Sequence, residues 1–336
     1  MPLPLINSYN SWSKLEEVWL GDVYPTSWYD HLPTQIKDSF YRLTEITQED
    51  LSTIQQMIES FGVKVRRPTY NTLDQYIDRC TGQLVKPQIC PRDQFVVLGN
   101  NLIGHKWHTT AWQLVLDEYS QQSDCQVITT DNPHLAGANV VRLGDSLIID
   151  TNQPDAMIHD FLNDYKVKII NNGGHLDGCF AILKPELILA SRYYSNYDET
   201  FPGWEKIFLN RPEFASHAGK TNFAPQPTGK WWIPAIPSLN YNRSFSEHIL
   251  KHAQDWIGNY TETYFELNCL VIDEHNVMML GNNPVLEKTL YGHGINVHWA
   301  PFRTRSFWDG GLHCITVDIR RQSPKNAEYI TFGKPI

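Results

Sequence analysis

The sequence predicts an α/β fold in which small units, each a β-hairpin with a helix beside it, close into a ring around a shared core. Three observations predict it. One hairpin pattern recurs four times, helical stretches lie between the repeats, and the two chain ends supply the strands of a fifth unit. Repetition of this kind marks ring-like or stacked architectures, because one small unit cannot bury its own apolar face. An ordinary α+β sheet carrying several hairpins would share the local signals.

The four repeats are Phe95-Val-Val-Leu with Gly99-Asn-Asn and Leu102-Ile; Val140-Val-Arg-Leu with Gly144-Asp and Ser146-Leu-Ile-Ile; Phe180-Ala-Ile-Leu with Lys184-Pro-Glu and Leu187-Ile-Leu-Ala; and Cys269-Leu-Val-Ile with Asp273-Glu-His-Asn and Val277-Met-Met-Leu. Short apolar runs joined by Gly, Asn, Asp or Pro are hairpin signals. Nearly continuous apolar runs, rather than alternating ones, indicate strands shielded on both faces. Leu15 to Leu20 beside Ile315 to Ile319 supplies the closing pair. Between the hairpins, Thr47 with Asp50 three residues on reads as a helix start, followed by Leu51, Ile54, Ile58 and Phe61 at helical spacing and Gly62 as a stop. Pro154 to Tyr165 and Phe245 to Ile257 read as amphipathic helices, and Pro284 opens another. The interval after the third hairpin is long and broken by Pro202, Pro212, Pro225, Pro227, Pro234 and Pro237, so residues 200–243 read as an insertion-rich stretch on one unit. The expectation is a single domain over residues 1–336.

Composition narrows the function classes. The formal charge is −9 and no cluster of Lys or Arg stands out. That argues against nucleic acid or an anionic membrane as partner, since phosphate binding needs a basic face. No apolar run reaches the length of a membrane span. The start, MPLPLINSYN, lacks a basic segment followed by an apolar one. The six cysteines contain no Cys-x-x-Cys pair, which suits a reducing, cytoplasmic setting.

The candidate chemistry sits at the hairpin entrances. Asp93 precedes the first hairpin, Asn139 the second, His175 and Asp177 the third, and Asn268 the fourth. Cys314 begins the last strand, after Gly310-Gly311-Leu312-His313. In a ring, equivalent positions point to one centre. Cys314 alone reads equally as a packed thiol, but the two glycines before it permit close backbone approach by a ligand. A thiolate there would be a nucleophile needing a nearby base. His175 and Asp177, alternate residues on a strand, would share a face. His313 is a second base candidate, but strand neighbours point to opposite faces, which favours His175. Two carboxylates, Asp93 and Asp177, suit a planar guanidinium with its five donors. No histidine set has diagnostic metal-ligand spacing.

Six stretches occur in order from near the first residue to near the last: Ser8-Tyr-Asn-x-Trp12-x-x-Leu15-Glu-Glu-Val18, Gly62-Val-x-Val-Arg66-Arg-Pro68, Pro91-Arg-Asp93, His175-x-Asp177, Leu267-Asn268 with Asp273-Glu274, and Gly310-Gly-x-His-Cys314-x-Thr-x-Asp318-x-Arg-Arg321. In this ordered set the chain resembles the glycine/inosamine amidinotransferase family, within the wider guanidine-modifying superfamily. The resemblance implies a five-bladed α/β propeller, the pentein fold, of pseudo-symmetric ββαβ units around a central active site. It implies Cys314 as nucleophile, His175 as general acid/base, and Asp93 and Asp177 as guanidinium ligands. Asn268 and His313 join the substrate-binding set. It further implies an arginine-like donor, a primary-amine acceptor, ornithine release, and neither metal nor organic cofactor. Homodimers are a common state for such enzymes.

Two positions depart from the family pattern. An acid that orients the histidine would fall in Leu135-Ala-Gly-Ala-Asn139, on Ala136; Asn139, another residue such as Asp131, or no residue at all is left to take that role. An arginine that grips an acceptor carboxylate would fall at Tyr194, with Arg192 two residues short. Two alternatives accompany the transferase reading: a guanidine hydrolase or deiminase-type enzyme using water as acceptor, and a catalytically impaired guanidinium-binding homologue.

Overall fold

The computed structural model describes residues 4–77, 84–105, 109–122, 124–130, 136–151, 162–171, 175–191, 196–215, 236–253, 256, 264–308, 310–325 and 327–330. Among them run the strands β1 (Leu15–Leu20), β2 (Lys64–Arg66), β3 (Phe95–Leu98), β4 (Asn101–His105), β5 (Gln126–Thr130), β6 (Val140–Leu143), β7 (Ser146–Asp150), β8 (Lys166–Ile170), β9 (Phe180–Lys184), β10 (Leu187–Ala190), β11 (Glu205–Phe208), β12 (Leu270–Asp273), β13 (Asn276–Leu280), β14 (Asn296–Ala300) and β15 (Thr316–Arg321). They form five three-stranded sheets, ordered β15-β1-β2, β3-β4-β5, β6-β7-β8, β9-β10-β11 and β12-β13-β14.

Each sheet is built alike: an antiparallel pair, then a third strand parallel to the middle one. All four predicted hairpins are present, and the termini close the fifth sheet with Leu15 opposite Arg321 and Leu20 opposite Thr316. A parallel pair needs a crossover, usually a helix. Helices Thr34–Ser60, Gln113–Ser120, Tyr197–Thr200 and Pro284–Gly292 lie in four of these connections. The predicted helix at Pro154 to Tyr165, in the remaining connection, lies largely outside the described residues. β3, β7 and β10 are buried along their whole length, which accounts for their unbroken apolar runs. Neighbouring sheets meet through β15 and β3, through the turns that precede β3, β6 and β9, and through β1 and β12.

One helix start is corrected. The first long helix begins at Thr34, behind Pro33, and Thr47 lies in its interior. There the Thr47 hydroxyl is 2.7 Å from Leu43 O and 2.8 Å from Thr304 Oγ1, and it accepts from the Trp308 indole at 3.0 Å. The threonine is thus a tertiary anchor, not a cap. Gly62 does end the helix, at φ +78°, where a side chain would be strained. The helix expected from Phe245 starts at Arg243, capped by Asn242, and ends at His252.

A buried ionic hub ties three sheets together. Asp318 on β15 pairs with Arg92 at 2.7 Å, with Arg321 at 2.7 Å and with Arg142 of β6. Three guanidinium groups on one carboxylate leave excess positive charge, and backbone carbonyls accept from several of the other donors. Arg92 donates to Thr316 O at 2.8 Å, Arg142 to Val97 O at 3.2 Å, and Arg321 to Ser13 O at 2.7 Å and Val271 O at 2.8 Å. These charges hold Asp318 well below the usual carboxylate range despite its burial.

Candidate active site

Each inner strand is entered through a tight turn. Single-turn 3-10 helices span Pro91–Asp93, Gly137–Asn139 and Leu176–Gly178, and turns at 265–268 and 312–315 precede β12 and β15. This revises the sequence reading of side-chain direction. His175 and Asp177 are not alternate residues of a strand: His175 caps the 3-10 turn and Asp177 lies within it. Cys314 sits on a turn two residues before β15, rather than at the strand's first position.

The turn geometry brings His313 in. With no strand alternation to separate them, His313 and Cys314 reach the same oxygen. His313 Nδ1 lies 2.8 Å from Asp177 Oδ2, and Cys314 Sγ lies 3.3 Å from it. Asp177 is 6 % exposed and Cys314 2 %. Burial alone would raise the Asp177 carboxyl. The hydrogen bond and charge of His313, the charge of His175 and the hydrogen bond from Cys314 outweigh it and hold the group below its ordinary value. Burial, with the nearby Arg92 charge, lowers His313 as well, against the opposing pull of Asp177. Asp177 is thus held toward its ionised form, and burial weakens the hold of the His313 imidazole on its proton.

Asn268 also differs from expectation. The sequence reading groups it with substrate-binding residues, yet it is fully buried and its carboxamide clamps Cys314. Its Nδ2 donates to Sγ at 2.9 Å, and its Oδ1 accepts the Cys314 N–H at 2.9 Å. Gly311 makes room for the clamp, since a Cβ there would lie 2.5 Å from Asn268 Cβ. Arg92, not singled out from sequence, fixes the same turn. Its N–H donates to Cys314 O at 3.2 Å and its Nε to His313 O at 3.3 Å. The available signal was its place between Pro91 and Asp93.

Asp93 and His175 lie at the open side. Asp93 Oδ1 is 3.7 Å from His175 Nδ1, with side chains 32 % and 45 % exposed. Of the candidates to orient His175, Asn139 makes no hydrogen bond to it through its side-chain oxygen. Asn139 Oδ1 is buried with no hydrogen-bond partner among the described residues, and so is Asp177 Oδ1. Ala136 caps the turn that carries Asn139 and contributes no acid. Arg192, Tyr194 and Asp131 lie outside the described residues. Behind Asp177 and His313, a cavity of about 50 Å³ reaches Arg142, Asp318 and Arg321. That is room for a few waters and too little for a substrate, and neither Cys314, His175 nor Asp93 lines it. Among the described residues, no group of three His, Cys, Asp or Glu has the geometry to hold a metal ion, and no helix is long and apolar enough to cross a membrane.

The site therefore offers a buried thiol, a carboxylate with an unengaged oxygen, a second carboxylate and two imidazoles. Buried acceptors without protein donors favour a ligand rich in N–H groups, and a cation above all.

Comparison with known proteins places this arrangement. No protein-family profile matches the chain. An L-arginine:L-lysine amidinotransferase of Pseudomonas savastanoi pv. phaseolicola is 24% identical in an alignment covering 94% of each chain. A mitochondrial glycine amidinotransferase of Xenopus tropicalis is 25% identical, covering 94% of this chain and 82% of that one. Among solved structures, the inosamine-phosphate amidinotransferase of Streptomyces griseus superposes with a TM-score of 0.68 at 18% identity, over 96% of this chain and 98% of that one. An amidinotransferase of the saxitoxin biosynthetic pathway from Microseira wollei gives 0.66 at 18% identity, over 97% and 100%. The five-bladed α/β propeller (pentein) expected from the motifs is the fold observed.

Proposed function

We propose, from the premise that this chain is a homologue of the amidinotransferases, that it moves an amidino group from an arginine-like donor to a primary amine through Cys314. The observation that carries the reading is the shared contact at Asp177. One oxygen meets the Cys314 thiol and His313, while the other is buried without a protein donor. A guanidinium docking on that free oxygen, and on Asp93, would bring its central carbon to the sulfur.

The electrostatics favour a cationic substrate for a second reason. An ionised carboxylate 3.3 Å from Sγ opposes formation of a thiolate. Binding of a guanidinium cancels that charge, leaving the Asn268 amide as the dominant influence on the sulfur. The thiol gives its proton to His175, and the thiolate then attacks the guanidinium carbon. The C–S bond forms, the bond to the departing amine breaks, and His175 delivers the proton that this amine takes away. With arginine as donor the first product is ornithine. An acceptor amine, relieved of a proton by His175, attacks the amidino-cysteine and regenerates the thiol.

The test is incubation with arginine and a panel of primary amines, following ornithine and the guanidino product together. Mass spectrometry is expected to find an amidino group on Cys314, and Cys314→Ala to abolish turnover. Ornithine release that survives Cys314→Ala overturns the reading. Urea or ammonia formed without any added amine replaces transfer by hydrolysis, which the exposure of His175 to solvent allows. Arginine binding with no product over long incubation replaces both with a guanidinium-binding role.

A further inference from the structure

Cys90 is a buried thiol that the proposed chemistry leaves unused. It directly precedes the Pro91–Asp93 turn, and the Arg92 N–H bond to Cys314 O, at 3.2 Å, holds the two backbones side by side. Gly310 occupies the space between the two cysteines. A Cβ at Gly310 would stand 2.8 Å from Cys90 Sγ, 2.9 Å from Cys314 Cβ and 3.8 Å from Cys314 Sγ. Two sulfurs at 2.8 and 3.8 Å from one point are at most about 6.6 Å apart. Gly310 places only a hydrogen toward the pair, where any other residue would place a Cβ.

A disulfide needs its sulfurs about 2.05 Å apart. A change of χ1 rotamer moves a cysteine sulfur by about 3 Å. Side-chain rotation of the two residues is thus of the size required to close the sulfur separation. Cys269 is the rival thiol, since it follows Asn268. Burial and the Asp177 charge push its thiol up to about 12, which suppresses the thiolate needed for attack.

We propose that Cys90 is the resolving thiol for Cys314, so that oxidation of the site by a peroxide ends in a reversible Cys90–Cys314 disulfide. In the first step the fraction of Cys314 present as thiolate, which the Asn268 amide supports against the Asp177 charge, attacks hydrogen peroxide, giving the sulfenic acid and hydroxide; sulfur is oxidised and peroxide reduced. In the second, the Cys90 sulfur displaces the sulfenic oxygen, forming the S–S bond and releasing water. Cys314 then leaves its place between Asn268 and Asp177, and further oxidation to sulfinic acid is blocked. The inference rests on Cys314 being the reactive thiol of the proposed function, but not on amidino transfer.

The experiment treats the reduced full-length protein with hydrogen peroxide and maps cysteines by peptide mass spectrometry without reductant. A Cys90–Cys314 cross-linked peptide is expected, short of the summed peptides by two hydrogens, with activity restored by dithiothreitol. Cys90→Ser and Cys90→Ala are expected to keep their activity when reduced. Under peroxide they should lose it irreversibly, with Cys314 recovered as sulfinic acid. A link from Cys314 to Cys269 overturns the proposal. So does sulfinic acid forming at the same rate in wild type and both variants. Alkylation of reduced Cys314 by iodoacetamide tests the shared premise separately, so failure of the disulfide and failure of the proposed function are distinguishable.

Discussion

Asn268→Asp separates the two duties of the clamp on Cys314. The substitution is nearly isosteric and keeps an acceptor for the Cys314 N–H, now bonded at 2.9 Å. It replaces the donor that faces Sγ at 2.9 Å with a carboxylate oxygen. A hydrogen bond to a charged group contributes about 1.5–3 kcal/mol. Because about 1.4 kcal/mol is tenfold in rate, loss of the donor alone slows thiolate chemistry roughly tenfold to a hundredfold. The added negative charge works in the same direction. Two like charges at about 4 Å repel by about 4 kcal/mol at an effective dielectric of about 20. Together they predict a loss of at least about a thousandfold, with a lower melting temperature because a charged carboxylate replaces a neutral amide at a fully buried position. Asn268→Ala differs: it also strands the buried Cys314 N–H, which costs about 1–3 kcal/mol of stability. The assay is the pH dependence of Cys314 alkylation by iodoacetamide, beside ornithine formation and thermal melting. Alkylation in Asn268→Asp should require higher pH than in wild type. A wild-type alkylation profile in this variant would refute the assigned role of the amide.

Three other outcomes follow from the same contacts. His313→Asn removes the partner that helps keep Asp177 ionised. In wild type the folded Asp177 value lies below the unfolded one, so its stabilisation is present above about pH 4 and is lost as pH falls through the lower folded value. In the variant that loss should begin at higher pH, as read by urea unfolding at stepped pH. The imidazole of His313 is itself lowered on folding, so acid destabilisation from this group begins below about pH 6.5, where the unfolded chain binds the proton first; an NMR titration should place its midpoint below that of an exposed histidine. Asp318→Asn leaves Arg92, Arg142 and Arg321 without their common carboxylate. Breaking a buried pair in this way costs about 3–5 kcal/mol, and chemical denaturation measures it.

The hairpins were legible because their signals are local. Apolar runs such as Phe95–Leu98 and turns at Gly99 and Gly144, both with positive φ, need no distant partner to be read. The start of the long helix was misread for a matching reason. Thr47 and Asp50 mimic a cap, but Thr47 hydrogen-bonds to Thr304 and Trp308, and Asp50 to Arg303 at 2.7 Å. Distant residues gave them another use. Direction at the site was misread because the strand-mouth residues lie on turns, and a period of two holds only inside a strand.

By itself, then, the sequence determined the repeat, its closure by the termini, and the identity of Cys314, His175, Asp93 and Asp177 as the polar residues at the strand mouths. Those follow from periodicity, from turn chemistry and from an ordered set of motifs. Only the tertiary structure decided what each side chain touches. It made Asn268 a clamp on the sulfur, gave Asp177 its partner in His313, and set Cys90 against Gly310 on the turn that carries Cys314. Each of these contacts joins segments of different sheets, and their geometry depends on how the turns pack around the ring, which no local pattern of residues encodes.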